Sequence, residues 1–74
     1  MNPAKLIKMA NQIGAFFEAF PDREQAVAGV AAHIQRNWEP RMRTALQDYV
    51  AQNGDEALMP IVRDALRIVQ KVVL

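Results

Sequence analysis

HIQRNWEPRMR, residues 33–43, is the stretch that sets the number of helices in this chain. Pro40 biases the residue before it toward extended backbone and lacks the N–H that a helix interior needs, yet it suits the first position of a new helix. A helix arriving from the N-terminal side therefore stops near Asn37, and another starts at Pro40. Arg41 and Arg43 then fall in the first turn of that new helix, where the macrodipole disfavours a cation by about 0.3–1 kcal/mol each. Glu39 can pair with Arg43 at i, i+4, but an exposed pair of that kind contributes only about 0.3–0.5 kcal/mol. A forked guanidinium facing carboxylates or carbonyls on another protein would account for both arginines. Trp38 beside them has two readings: the lid of the core between the two helices, or an interface anchor of a residue type enriched at binding hot spots.

On the N-terminal side, Asp22 suits the cap of a helix from Arg23 to about Asn37. Its apolar stripe is Val27, Val30, Ala31 and Ile34, with Trp38 one turn further. Phe20-Pro21-Asp22 breaks an earlier helix, which Asn2 caps and Pro3 opens and which runs to about Ala19. Its stripe is Leu6, Met9, Ala10, Ile13, Phe16, Phe17 and Phe20, with Phe17 near the centre. On the C-terminal side, Met42, Ala45, Leu46, Tyr49 and Val50 face inward from the helix that Pro40 opens and Asn53-Gly54 closes. A loop to Met59 leads into a fourth helix from Pro60 to near the terminus. There is no strand pattern, internal repeat or low-complexity segment. The expected fold is all-α: a compact bundle of three to four short helices in a single domain covering residues 1–74.

Two faces do not fit a plain bundle. Ile61, Val62, Ala65, Leu66, Ile68, Val69, Val72 and Val73 cover almost half the circumference of the fourth helix, wider than one buried stripe needs. Either that helix touches two neighbours, or part of this face, with Leu74, docks on another protein. On the first helix, Ile7, Asn11, Gly14 and Glu18 fall on a face away from the stripe. A helix-interior Gly costs about 1 kcal/mol relative to Ala; Gly14 is either a tolerated surface residue or the point where another backbone approaches closely. Gly29, on the outer face of the second helix, carries the same two readings.

Composition removes several function classes. A chain of 74 residues buries only about 60–65% of its unfolded surface, so its stability is marginal without a staple, metal or partner. With no Cys, disulfides, thiolate metal sites and Cys nucleophiles are excluded together. The formal charge is +1, and basic residues are interspersed with acidic ones, without the polybasic block of a nucleic-acid or anionic-membrane binder. Met1–Lys5 is followed by no long apolar run and no small-residue cleavage site, and the apolar C-terminal stretch is too short to span a bilayer. The expected location is the cytoplasm.

Catalytic groups are sparse. His33 stands alone at the flank of its helix's stripe with Asn37 one turn later, and no Cys or positioned Ser is there for it to activate. No second His and no carboxylate cluster accompany it at ligand spacing, and Gly-rich phosphate loops are absent. No catalytic, cofactor or metal residue is assigned. Asn11-Gln12 is a polar pair on the first helix, read either as surface solvation or as hydrogen bonding to a partner backbone.

Three elements of the chain carry a family resemblance. The first is Lys5, Leu6, Met9, Ala10, Asn11, Gln12, Ile13, Phe16 and Phe17. The second is His33, Ile34, Trp38, Pro40, Arg41, Met42 and Arg43, and the third is Pro60, Ile61, Val62, Arg63 and Ala65. Together they resemble the small delta subunit of cytoplasmic, NAD-dependent formate dehydrogenases that contain molybdenum or tungsten. One departure is Met59, where family members often carry an Asp that caps the last helix. The resemblance implies an accessory subunit without a cofactor or catalytic residues of its own. Its partner would be the large catalytic subunit of a complex carrying a molybdenum or tungsten pterin cofactor, iron–sulfur clusters and FMN. The implied role is to support assembly or stability of that complex, which oxidises formate to CO2 and reduces NAD. The candidate partner-binding residues are Asn11, Gln12, Gly14, His33, Trp38, Arg41 and Arg43. The alternative is a free-standing helical adaptor or homodimer unrelated to formate metabolism, and a nucleic-acid-binding domain stands third.

Overall fold

The computed structural model describes residues 2–72, with side chains to residue 69. Four helices follow in order: α1 (Pro3–Glu18), α2 (Arg23–Asn37), α3 (Pro40–Asn53) and α4 (Pro60–Val72). Their boundaries sit where local chemistry puts them. Asn2 Oδ1 accepts from the Ala4 N–H at 3.0 Å, and Asp22 Oδ1 accepts from the N–H groups of Glu24 and Gln25 at 2.9 and 3.4 Å. Each contact satisfies donors that a helix start leaves free. Gly54 ends α3 with φ +88°, a backbone region that favours glycine, and its N–H donates to the Val50 carbonyl at 2.8 Å.

α4 makes its most extensive packing on α2, and α1 touches all three other helices. The core is built from Val30 and Ile34 of α2, Leu46 of α3 and Ile61, Val62 and Val69 of α4, all fully enclosed. Leu58, in the loop before α4, joins this core, a contribution that helix periodicity does not reveal. The wide apolar face of α4 is mostly taken up inside the chain: Ile61, Val62, Ala65, Leu66 and Val69 are buried, while Ile68 remains 42% exposed. Val73 and Leu74, and the side chain of Val72, lie outside the described residues.

α1 is turned relative to the sequence expectation. Its buried line is Leu6, Ala10 and Gly14, whereas Phe16 and Phe20 are 66% and 41% exposed. The reason is steric. α4 crosses so close that a Cβ on Gly14 would lie 2.7 Å from Val62 Cγ2 and 3.1 Å from Ile61 Cγ2. Only small residues fit at the centre of that crossing, so the aromatic residues are displaced to the rim. The face of Asn11 and Gly14, expected to point away, points inward. Gly29 is likewise not on a free surface, because a Cβ there would meet the Phe17 ring at 2.5 Å.

Candidate functional site

The rotation of α1 leaves an open groove of about 570 Å³ between α1, α2 and the start of α3. Met9, Gln12, Ile13, Phe16 and Phe17 line it from α1, His33, Asn37 and Trp38 from α2 and its cap, and Met42 from α3. Phe16, Phe17 and Phe20 form an aromatic cluster beside it. The Phe16 and Phe17 rings meet edge-on with centroids 5.0 Å apart, and Phe17 and Phe20 lie 5.1 Å apart. The His33 and Phe17 ring centroids lie 6.5 Å apart, with the rings inclined at 64°. The lining is apolar, with polar groups only at Gln12, His33 and Asn37. Asn37 already donates its side-chain amide to the His33 carbonyl at 3.0 Å.

The candidate residues divide into two sets. Gln12, His33 and Trp38 line this groove, and Arg41 is exposed next to Met42. Trp38 is nevertheless only 5% exposed, so it is first the lid of the core and only along one edge a groove wall. Asn11, Gly14 and Arg43 are engaged within the chain. The Asn11 side-chain amide donates to the Ala57 carbonyl at 3.0 Å, and its Oδ1 accepts from the Met59 N–H at 2.9 Å. That clamp holds the loop leading into α4, which starts at Pro60 although Met59 offers no capping oxygen. Gly14 is the crossing point with α4.

Arg43 answers the puzzle of its position. One terminal nitrogen donates to the carbonyls of Trp38 at 3.1 Å and Gln35 at 3.0 Å, five and eight residues back. These carbonyls belong to the end of α2, where acceptors lack helical partners and the dipole favours a cation. The charge thus sits at one helix's C-terminus rather than exposed at another's N-terminus, and no partner protein is needed to explain it. The fit is incomplete, since Arg43 Nε, Gln35 Oε1 and Gln47 Nε2 are buried without hydrogen-bond partners among the described residues. Arg63 repeats the arrangement before α4, with Nε donating to the Leu58 and Asp55 carbonyls at 3.0 and 2.9 Å. Pro40–Arg43 and Pro60–Arg63 are thus the same device, used at both of these helix junctions.

This sets a prediction. Arg43→Ala is expected to lower stability by about 1–2 kcal/mol, because charge-assisted bonds to otherwise unpaired carbonyls are lost. Arg43→Lys is expected to recover only part, since a point charge does not reproduce a planar fork. Arg41→Ala is expected to leave stability unchanged or to raise it by up to about 0.3–1 kcal/mol. Thermal melts of the three variants check this, and equal shifts for the two alanine variants would overturn the assignment.

Sequence reasoning placed Met9, Ile13, Phe16 and Phe17 in the core stripe and so missed them as a surface. The available signal was that α1 holds more large apolar residues than one buried stripe accommodates. Among the described residues no three His, Asp or Glu side chains gather as a metal site, and no helix is long and apolar enough to cross a membrane.

The fold and groove define a small all-α domain whose shaped feature is an apolar surface. Residues 5–66 match the family described as the NADH-dependent formate dehydrogenase delta subunit, FdsD. The chain belongs to that family, and the match spans all three resembling elements. No curated protein and no solved structure matches the chain.

Proposed function

We propose that this chain is the non-catalytic delta subunit of a cytoplasmic NAD-dependent formate dehydrogenase, and that it binds the large catalytic subunit and supports its assembly or stability. Formate oxidation to CO2 with reduction of NAD is then the work of the complex. The molybdenum or tungsten pterin, iron–sulfur clusters and FMN belong to the other subunits. Family membership supports the complex. The observation that carries the contact is the groove with Phe16 standing two-thirds exposed at its edge. A large aromatic held in water beside an apolar groove marks a surface made to be covered, and aromatic residues supply much of the binding energy at such surfaces.

Phe16→Ser tests this reading. Since Phe16 is mostly exposed in the free chain, the thermal melt is expected to stay within about 1 kcal/mol of the parent. Affinity for the purified catalytic subunit is expected to fall by more than about 30-fold, the loss of a hot-spot side chain. Unchanged affinity would refute the groove as the contact. A free chain that dimerises through the same groove and ignores the catalytic subunit would favour the adaptor reading instead.

A further inference from the structure

The groove has two unlike ends. α1 and α2 are joined by a short turn at residues 19–22, Phe17 packs against Gly29, and Met9 and Gln12 share the groove with Asn37, Trp38 and Met42, so the start of α1 lies toward the close of α2 and the start of α3. Lys5 and Lys8 lie one helical turn before the lining residues Met9 and Gln12, and Arg36 and Arg41 are the immediate neighbours of Asn37 and Met42. All four cations are exposed, and none makes an ion pair among the described residues, where the salt bridges involve Arg23, Arg63 and Arg67. Glu39 lies between Arg36 and Arg41 in the sequence and is exposed. Neither α1 nor α3 has an acidic residue in its first turn, so two positive helix ends stand there beside the negative close of α2, which Arg43 already faces. At the other end the exposed large apolar groups are Phe16 and Phe20, with Glu18, Asp22 and Glu24 nearby; Asp22 is engaged as the α2 cap and the one cation there, Arg23, pairs with Asp64.

The walls also restrict the occupant's backbone. The lining residues lie in helices except Trp38, the α2 cap, so the groove offers no strand edge for an extended segment to join. A chain entering so apolar a channel must satisfy its own N–H and C=O groups. An amphipathic helix does so, and laying its apolar face into a groove is an established way for helical surfaces to be recognised.

We infer that the groove receives an amphipathic helix of the catalytic subunit, whose apolar side chains cover Phe16 and Phe20 and whose carboxylates are gathered at the end facing Lys5, Lys8, Arg36 and Arg41. This rests on the docking role proposed above and adds the partner's chemistry and its orientation.

The test uses the full chain and the purified catalytic subunit, at low salt and near 1 M salt, where screening shrinks the reach of charge from about 10 Å to about 3 Å. The parent chain is expected to bind at least about ten-fold more weakly at high salt, the response of complementary rim charges. A variant combining Lys5→Glu, Lys8→Glu, Arg36→Glu and Arg41→Glu is expected to lose that factor already at low salt and to stop responding to salt. Circular dichroism melts establish that it is folded, and two double variants, one per helix pair, replace it if it is not. Parent-like affinity and salt response in the charge variants overturn the acidic-end inference, and a loss with Phe16→Ser then leaves the docking role standing. If the charge variants weaken binding while Phe16→Ser does not, the cations act outside the groove and the inference fails. If neither change matters, the docking role fails with it.

Discussion

Trp38→Ala is expected to destabilise the free chain by about 3–5 kcal/mol, the range for emptying an enclosed aromatic site. A chain of this length has roughly 4–11 kcal/mol in total, so the variant gives up from about a quarter of its stability to all of it. The indole is 5% exposed and sits where α2 ends and α3 begins. The backbone bonds at this residue survive the change: its N–H still donates to Ile34 and its carbonyl still accepts from Arg43. What is lost is the packing that holds α3 against the end of α2, so the effect isolates side-chain volume from backbone capping. Trp38→Phe fills part of the space and is expected to lose less than half as much. Urea denaturation of the three proteins measures it, and a loss below about 1 kcal/mol for the alanine variant would show that the indole is a surface ornament rather than a core element.

Gly14→Leu is expected to lower stability by about 3 kcal/mol or more. Leu is a far better helix former than Gly, so on an open surface the change would raise stability by about 0.7–1 kcal/mol. The sign therefore reports the environment. Here even the first added carbon falls inside the contact distance of Val62, a stiff β-branched side chain on a fully enclosed stretch of α4. Overpacking of this sort costs about 1–3 kcal/mol for a methylene or two, and Leu adds four carbons. Gly29→Ala is the instructive contrast, because its obstacle is the half-buried Phe17 ring, which can swing aside into the groove. Equilibrium unfolding of Gly14→Leu decides the matter, and a raised melting temperature would place Gly14 on the outside.

Helix boundaries were legible because each depends on a few neighbouring residues. Asn2 with Pro3, Asp22, Pro40, Gly54 and Pro60 act locally; all four helices begin at them and α3 ends at Gly54. The stripe of α2 was legible too, since that helix has one apolar face with Ala26, Val27, Val30, Ala31 and Ile34 buried on it. The facing of α1 was not. Leu6, Ile7, Met9, Ala10, Ile13, Phe16 and Phe17 surround so much of that helix that periodicity alone does not separate inside from outside. Hydrophobic size misled further, because the closest crossing selects Ala10 and Gly14 over the aromatic residues. The same error hid the groove: residues assigned to the core were its walls. Of the candidate residues, Gln12 and His33 were found as polar groups flanking a stripe, and they stand on the groove. Arg43 was misread because charge at a helix start was weighed against that helix alone, although the recurrence of Arg three residues after Pro at both junctions was visible in the sequence.

Those recurring junctions bear on how the chain finds its fold. Arg43 and Arg63 bind carbonyls only five and eight residues away, so each corner closes a small loop of its own, to which Asn11 later adds its clamp on the loop before α4. The pairing of α2 with α4 spans most of the remaining sequence, and the entropy lost in closing a loop rises with its length. Contacts of short range speed folding, and contacts of long range slow it. Two of the three bends are thus written into short local segments, while the ordering of the chain as a whole waits on one distant meeting, that of α4 with the helix pair α1–α2.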